Sequence, residues 1–161
     1  MNYFLGIDSG LRRIGWGLIL KDKQKLLYIA SGVFKTTIGN TEIYYHSDGI
    51  ALKEIYNFIY NLISEKKPTH CAVENTYVNN NPLSSLKLAQ ARSAVIIACC
   101  NHDLLPREYQ ASTIKKIVSG RGNADKLELH KMINIQLGNI KTTTNDESDA
   151  IAIAMCDALH H

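Results

Sequence analysis

Hydrophobic and polar positions in this chain alternate first with the period of strands and then with that of helices. Tyr3 to Asp8 is a short apolar run closed by an acid, and Ser9 to Arg13, with Gly10 as its flexible point, reads as a turn. Ile14 to Leu20 is a second apolar run, the charged stretch Lys21 to Lys25 turns the chain again, and Leu26 to Val33 follows. These three runs predict an antiparallel meander. From about Thr41 to Ser64 the spacing becomes helical, with Ile55, Phe58, Ile59, Leu62 and Ile63 on one face and Lys66-Lys67-Pro68 as the stop. Thr69 to Glu74 is a short fourth strand, and the polar segment Asn75 to Pro82 is a loop.

Leu83 to Cys100 is predicted as a second helix, whose apolar end serves the core first and a dimer interface second. Leu104 to Tyr109 reads as a fifth strand. Ala111 to Val118 and Ala124 to Leu137 read as helices separated by Ser119-Gly120-Arg121-Gly122-Asn123. The last helix opens on a capping box, with Thr144 as N-cap and Glu147 three residues on. The pattern predicts an α/β fold, a five-stranded mixed sheet (an antiparallel meander, then parallel strands) flanked by helices.

Four carboxylates interrupt this pattern. Asp8 ends the first strand, Glu74 ends Cys71-Ala72-Val73, and Asp146 and Asp149 open the apolar final helix. Ionised acids are seldom placed against a core unless paired or bound to a cation. Brought together from two strand ends and one helix start, they would line an oxygen-rich pocket for hard divalent ions. Each has a structural alternative: Asp8 before Ser9-Gly10 suits a turn, and Asp146 in a first helical turn suits the helix dipole. Asp146 and Asp149 are three residues apart and share a helix face. Glu147 lies off that face and reads as structural.

Composition adds bounds. A chain of 161 residues with 45% apolar content predicts one globular domain spanning 1–161. Net charge is +3, and between Arg107 and Lys131 six basic residues face three acids, an excess compatible with a polyanion. Cys71, Cys99, Cys100 and Cys156 lack metal-ligand spacing and read as buried free thiols in a reducing compartment. The six histidines show no ligand spacing either. With no signal-peptide pattern and no apolar run of membrane-spanning length, a soluble cytoplasmic protein without membrane association is expected.

Gly6-Ile7-Asp8-Ser9-Gly10, followed by Arg12-Arg13-Ile14-Gly15-Trp16-Gly17, resembles the opening of RuvC-type Holliday junction resolvases. Four later segments match in order. They are Ala72 to Tyr77, Ser85 to Arg92, Ile114-Lys115 through Gly120 to Lys126, and Asp146 to Ala154. The resemblance implies the RNase H-like fold and a crossover junction endodeoxyribonuclease that resolves four-way (Holliday) DNA junctions by paired symmetric nicks during recombination and repair.

It further implies two Mg2+ ions per active site, with Mn2+ able to substitute, held by Asp8, Glu74, Asp149 and Asp146. Phosphodiester hydrolysis needs an activated water and neutralised phosphate charge, which two such ions supply. Tyr77 is similar to the family's base-stacking aromatic, and Lys115 and Lys126 to its two lysines near the scissile phosphate. Arg12, Arg13, Lys87, Arg92 and Arg121 are candidate backbone contacts. A homodimer working with a branch-migration motor is also implied. The family often carries a basic tail beyond the last helix, which this sequence does not show. The rival readings are a catalytically weak junction-binding protein and, with less support from the chain length, an actin-like phosphotransferase.

Overall fold

The computed structural model describes residues 1–39, 47–75, 81–142 and 144–161. Strands β1 (Asn2–Ser9), β2 (Arg13–Asp22) and β3 (Lys25–Lys35) form the antiparallel meander, followed by a 3-10 turn (Thr37–Gly39) and helix α1 (Ser47–Lys66). Strand β4 (His70–Glu74) then pairs with β1 in parallel, through Phe4↔His70 to Ile7↔Val73. After helix α2 (Pro82–Cys100), strand β5 (Arg107–Tyr109) adds to β4, again in parallel. The sheet order is β3-β2-β1-β4-β5, and helices α3 (Ala111–Ser119), α4 (Lys126–Leu137) and α5 (Asn145–His160) complete the chain.

Strand parity sorts the core into two layers. Leu5, Ile7, Cys71 and Val73 pack with Ile55, Ile59, Val95 and Ala98 of α1 and α2. On the other face Ala72 packs with Ile114 and Val118 of α3, Ile133 of α4 and Ile151 to Cys156 of α5. By the same alternation, Gly6 and Asp8 face α5, as do Ala72 and Glu74. The meeting of α5 with the sheet requires glycine. A Cβ on Gly6 would strike the Ala150 carbonyl oxygen and the Ala154 amide nitrogen, and one on Gly15 would strike the Asp146 carbonyl oxygen. At Gly17 it would come within 2.9 Å of Ile151 Cα. Gly6 and Gly17 are cross-strand partners, so the bare backbone forms a continuous floor on which α5 rests.

Several sequence expectations need correction. Strand β5 begins at Arg107, three residues after Leu104, because Pro106 has no N–H to donate and restricts the preceding Leu105, which is 82% exposed. Helix α4 begins at Lys126 instead of Ala124, since Asp125 is its N-cap and accepts from the Glu128 N–H at 2.8 Å. The expected start of α1 near Thr41 lies outside the described residues. Cys71, Cys99 and Cys156 are buried, but Cys100 is exposed, on the far side of α2 from the core. Helix α2 is long and apolar enough to pass for a membrane span by length and composition. Its buried residues Ala91, Val95, Ala98 and Cys99 instead pack into the layer beneath the sheet.

Candidate active site

Two parallel neighbouring strands end at the same edge, which puts Asp8 of β1 beside Glu74 of β4. Their preceding residues, Ile7 and Val73, are register partners. Helix α5 starts at that edge because Thr144 is its N-cap, its Oγ1 accepting from the Glu147 N–H at 3.2 Å. The glycine floor brings the first turn down onto the sheet, with the Asp146 backbone over Gly15, itself the cross-strand partner of Asp8. Asp8, Glu74, Asp146 and Asp149 are therefore gathered at one end of the sheet, each partly open to solvent. Glu147, read as structural, is buried and accepts a hydrogen bond from Ser31 Oγ.

Basic groups overlook the acids. Lys126 Nζ lies 3.2 Å from Asp149 Oδ2. Arg13 Nε lies 3.3 Å from Asp146 Oδ2. That oxygen is closed to solvent and makes no hydrogen bond, so the Arg13 contact is a charge contact without hydrogen-bond alignment. Burial, followed by the charges of Asp149, Glu74 and Asp146, pushes the Asp8 carboxyl up to about 7, with Lys126 pulling in the opposite direction. Burial and Asp149 raise Glu74 as well, against Lys115 and Lys126. Lys126 at Asp8, and Lys115 with Lys126 at Glu74, thus do not offset burial and the neighbouring acid charge.

That imbalance is what a divalent cation would relieve. The donors are all hard carboxylate oxygens, one of them buried without a hydrogen bond, and this suits Mg2+ or Mn2+ better than a soft metal. Among the described residues no three His, Cys, Asp or Glu side chains are gathered closely enough to coordinate one ion as they stand. The donor set fits a metal, and loading would draw the side chains inward.

Other expected contacts are more scattered. Arg12, Arg13 and Lys87 line a cleft of about 630 Å³ that reaches Asp146. Lys87 pairs with Asp48 at its rim, at 3.4 Å. Arg121 is exposed and 3.4 Å from Glu128. Arg92 is turned toward Asn75 and Glu108 and is only 20% exposed. Tyr77 lies outside the described residues. The glycine floor and the Arg92 tie were missed in the sequence reading. Recurrence of Gly6, Gly15 and Gly17 beneath an apolar helix was the available signal for the first, and nothing local signals the second.

Over residues 4–157 the chain matches the family model described as Crossover junction endodeoxyribonuclease RuvC. The chain belongs to that family. A Rickettsia bellii RuvC, named crossover junction endodeoxyribonuclease, is 42% identical over 151 residues, covering 93% of this chain and 92% of the relative. Thermus thermophilus RuvC, solved in complex with a Holliday junction substrate, superposes with a TM-score of 0.88 at 23% identity, over 99% of this chain and 94% of that one. The yeast mitochondrial Holliday junction resolvase Ydc2 superposes at 0.69 with 17% identity, over 97% of this chain and 77% of its own. The mixed sheet is accordingly the RNase H-like fold of RuvC, and dependence on divalent metal goes with the RuvC nucleases as a family.

Proposed function

We propose that this protein is a divalent-metal-dependent endonuclease that resolves four-way (Holliday) DNA junctions by paired symmetric nicks in recombination and repair. The observation that carries the reading is the gathering of Asp8, Glu74, Asp146 and Asp149 at one sheet edge under Lys126, in a chain of the RuvC family. Residues 1–161 would act as one nuclease domain, working in the cytoplasm.

Two Mg2+ ions, or Mn2+ in their place, would supply a more acidic water and charge stabilisation for the phosphate. Asp8, flanked by the other three acids, would hold the ions together with Glu74 and Asp149. Asp146 would ligate an ion or orient the attacking water. Lys126 and Lys115 both act electrostatically on Glu74, so both are near enough to bear on a phosphate held there. Arg12, Arg13 and Lys87 along the cleft, and Arg121 beyond it, would hold the DNA backbone. Tyr77 would stack on bases opened at the junction centre.

Purified protein with a labelled four-way junction is expected to give symmetric nicks in Mg2+ or Mn2+ and none in EDTA. Junction binding without nicks in either metal would reject the nuclease reading.

A homodimer would place two such sites on opposed strands, and a branch-migration motor would deliver the junction. Support for the dimer comes from α2, where Leu86 and Ile97 are 60% and 55% exposed and about three turns apart, hence on one side. The Leu86→Glu, Ile97→Glu double variant is expected to sediment as a monomer with an unchanged circular dichroism spectrum. A dimer of wild-type strength would place the interface elsewhere.

A further inference from the structure

Arg92 belongs to the run Ser85 to Arg92 and carries a charge suited to phosphate, yet it does not present that charge to the cleft. Its Nη1 donates to Asn75 Oδ1 at 2.6 Å and lies 3.3 Å from Glu108 Oε2. Asn75 directly follows Glu74, and its own N–H donates to the Tyr109 carbonyl oxygen at 2.8 Å. Glu108 and Tyr109 are the register partners of Val73 and Glu74. One guanidinium on α2 therefore ties together the residue after Glu74 and the strand beside it.

This position is mechanically sensitive. Glu74 is the last residue of β4, and just beyond it the main chain is held to β5 by the Asn75 N–H bond to the Tyr109 carbonyl oxygen. Strand ends open more easily than strand centres, and a few tenths of an ångström at the Glu74 backbone would be amplified at its carboxylate. Asn75 is held on both sides, through its main chain by β5 and through its side chain by α2. The planar fork of arginine can serve an amide oxygen and a carboxylate at once, whereas the single ammonium of lysine does so with less directional control.

We propose that Arg92 is a positioning residue for the nuclease reaction. By holding Asn75 it fixes the Glu74 carboxylate toward Asp8 and α5, and it does not itself contact the DNA. The inference rests on the nuclease reading of the acid cluster. It differs from a backbone-contact role in what it makes rate-sensitive. A phosphate contact contributes to junction affinity and to its salt dependence. A residue behind a metal ligand contributes to metal affinity and to the rate of the bound complex.

The test compares Arg92→Met, Arg92→Lys and Asn75→Ala with the wild-type protein. Arg92→Met is expected to lower the single-turnover rate at saturating junction by about 10–100-fold and to weaken Mn2+ binding by the DNA-free protein by a similar factor. Mn2+ binding is read by electron paramagnetic resonance. Junction affinity in EDTA and its salt slope should stay within about twofold of wild type. Asn75→Ala should reproduce the loss, the double variant should be no slower than the slower single, and Arg92→Lys should recover part of the rate.

The proposal is overturned if Arg92→Met weakens junction binding and flattens the salt slope while the saturated rate and Mn2+ affinity hold. It is equally overturned if Asn75→Ala keeps wild-type rate and Mn2+ affinity. Should Arg92→Met fail to fold, Asn75→Ala and Arg92→Lys carry the same comparison, and full Mn2+ affinity in both rejects the idea. Absence of cleavage by the wild-type protein would count against the nuclease reading, while Mn2+ affinity tests the positioning role separately.

Discussion

Asp8→Asn is expected to abolish junction cleavage and, at the same time, to make the metal-free protein more stable at pH 8. The two effects share a cause. Asp8 is buried among Asp149, Glu74 and Asp146, and its carboxyl is raised from 3.8 to about 7. The fold therefore binds this proton more tightly than the unfolded chain does, so metal-free stability falls as pH climbs from about 4 to about 7 and the penalty is complete above that. The rise corresponds to an upper limit of about 4 kcal/mol. Asparagine keeps the shape and removes the charge. With relaxation recovering about half, Tm in EDTA should be higher by about 5 °C at pH 8 and by only about 2 °C at pH 5. Adding Mn2+ should reverse the order, because ligand binding stabilises only a protein that binds it well. Cleavage should drop by at least about 10³-fold, or about 4 kcal/mol of transition-state stabilisation. A variant that cuts at near wild-type rate with its fold intact would remove Asp8 from the metal site. Equal melting temperatures in EDTA at pH 8 would show that burial and the neighbouring acids do not penalise the Asp8 charge as described.

The second large effect comes from adding a single methyl group. Gly15 lies opposite Asp8 on the neighbouring strand, and a Cβ there meets the Asp146 carbonyl oxygen. Gly15→Ala must lift the first turn of α5 or shear it along the sheet. Overpacking of this kind costs about 1–3 kcal/mol, a fall in Tm of about 3–10 °C for a chain of this size. The catalytic loss should be disproportionate, because a 1 Å misplacement of a reacting group can cost about 10²-fold. Gly17→Ala is the control, since its added Cβ would press on Ile151, further along α5 from the acids. Destabilisation similar to that of Gly15→Ala is expected, with a smaller fall in the single-turnover rate at a temperature where both variants are folded. Equal rate losses in the two would mean that the floor supports only the fold.

Much of this arrangement is readable in the sequence because its parts follow local rules. The placing of Asp8 and Glu74 near strand ends and the Thr144 cap are set by their own neighbours. The parallel pairing of β1 with β4 then brings the two strand ends to one edge. Lys115's place on α3 also follows from periodicity, whereas the start of α4 at Lys126, set by the Asp125 cap, does not follow from a helical pattern that runs back to Ala124. The bearing of both lysines on phosphate came from family resemblance. Features that depend on distant packing were not readable. Arg92 could as well have faced solvent, and what turns it inward is the seating of α2 beside the end of β4, 17 positions back at Asn75. Exposure of Cys100 likewise depends on which side of α2 meets α1. The shortening of β5 is legible in principle, since Pro106 is in the sequence and cannot donate to the ladder.

Every acid in the cluster, and the lysine beside it, comes from a single chain. Two copies brought together on a junction would thus each bring their own four acids and Lys126. Symmetric cleavage then becomes a matter of timing. After the first nick a second copy would have to finish before the opened junction departs, so product symmetry would report a ratio of two rates.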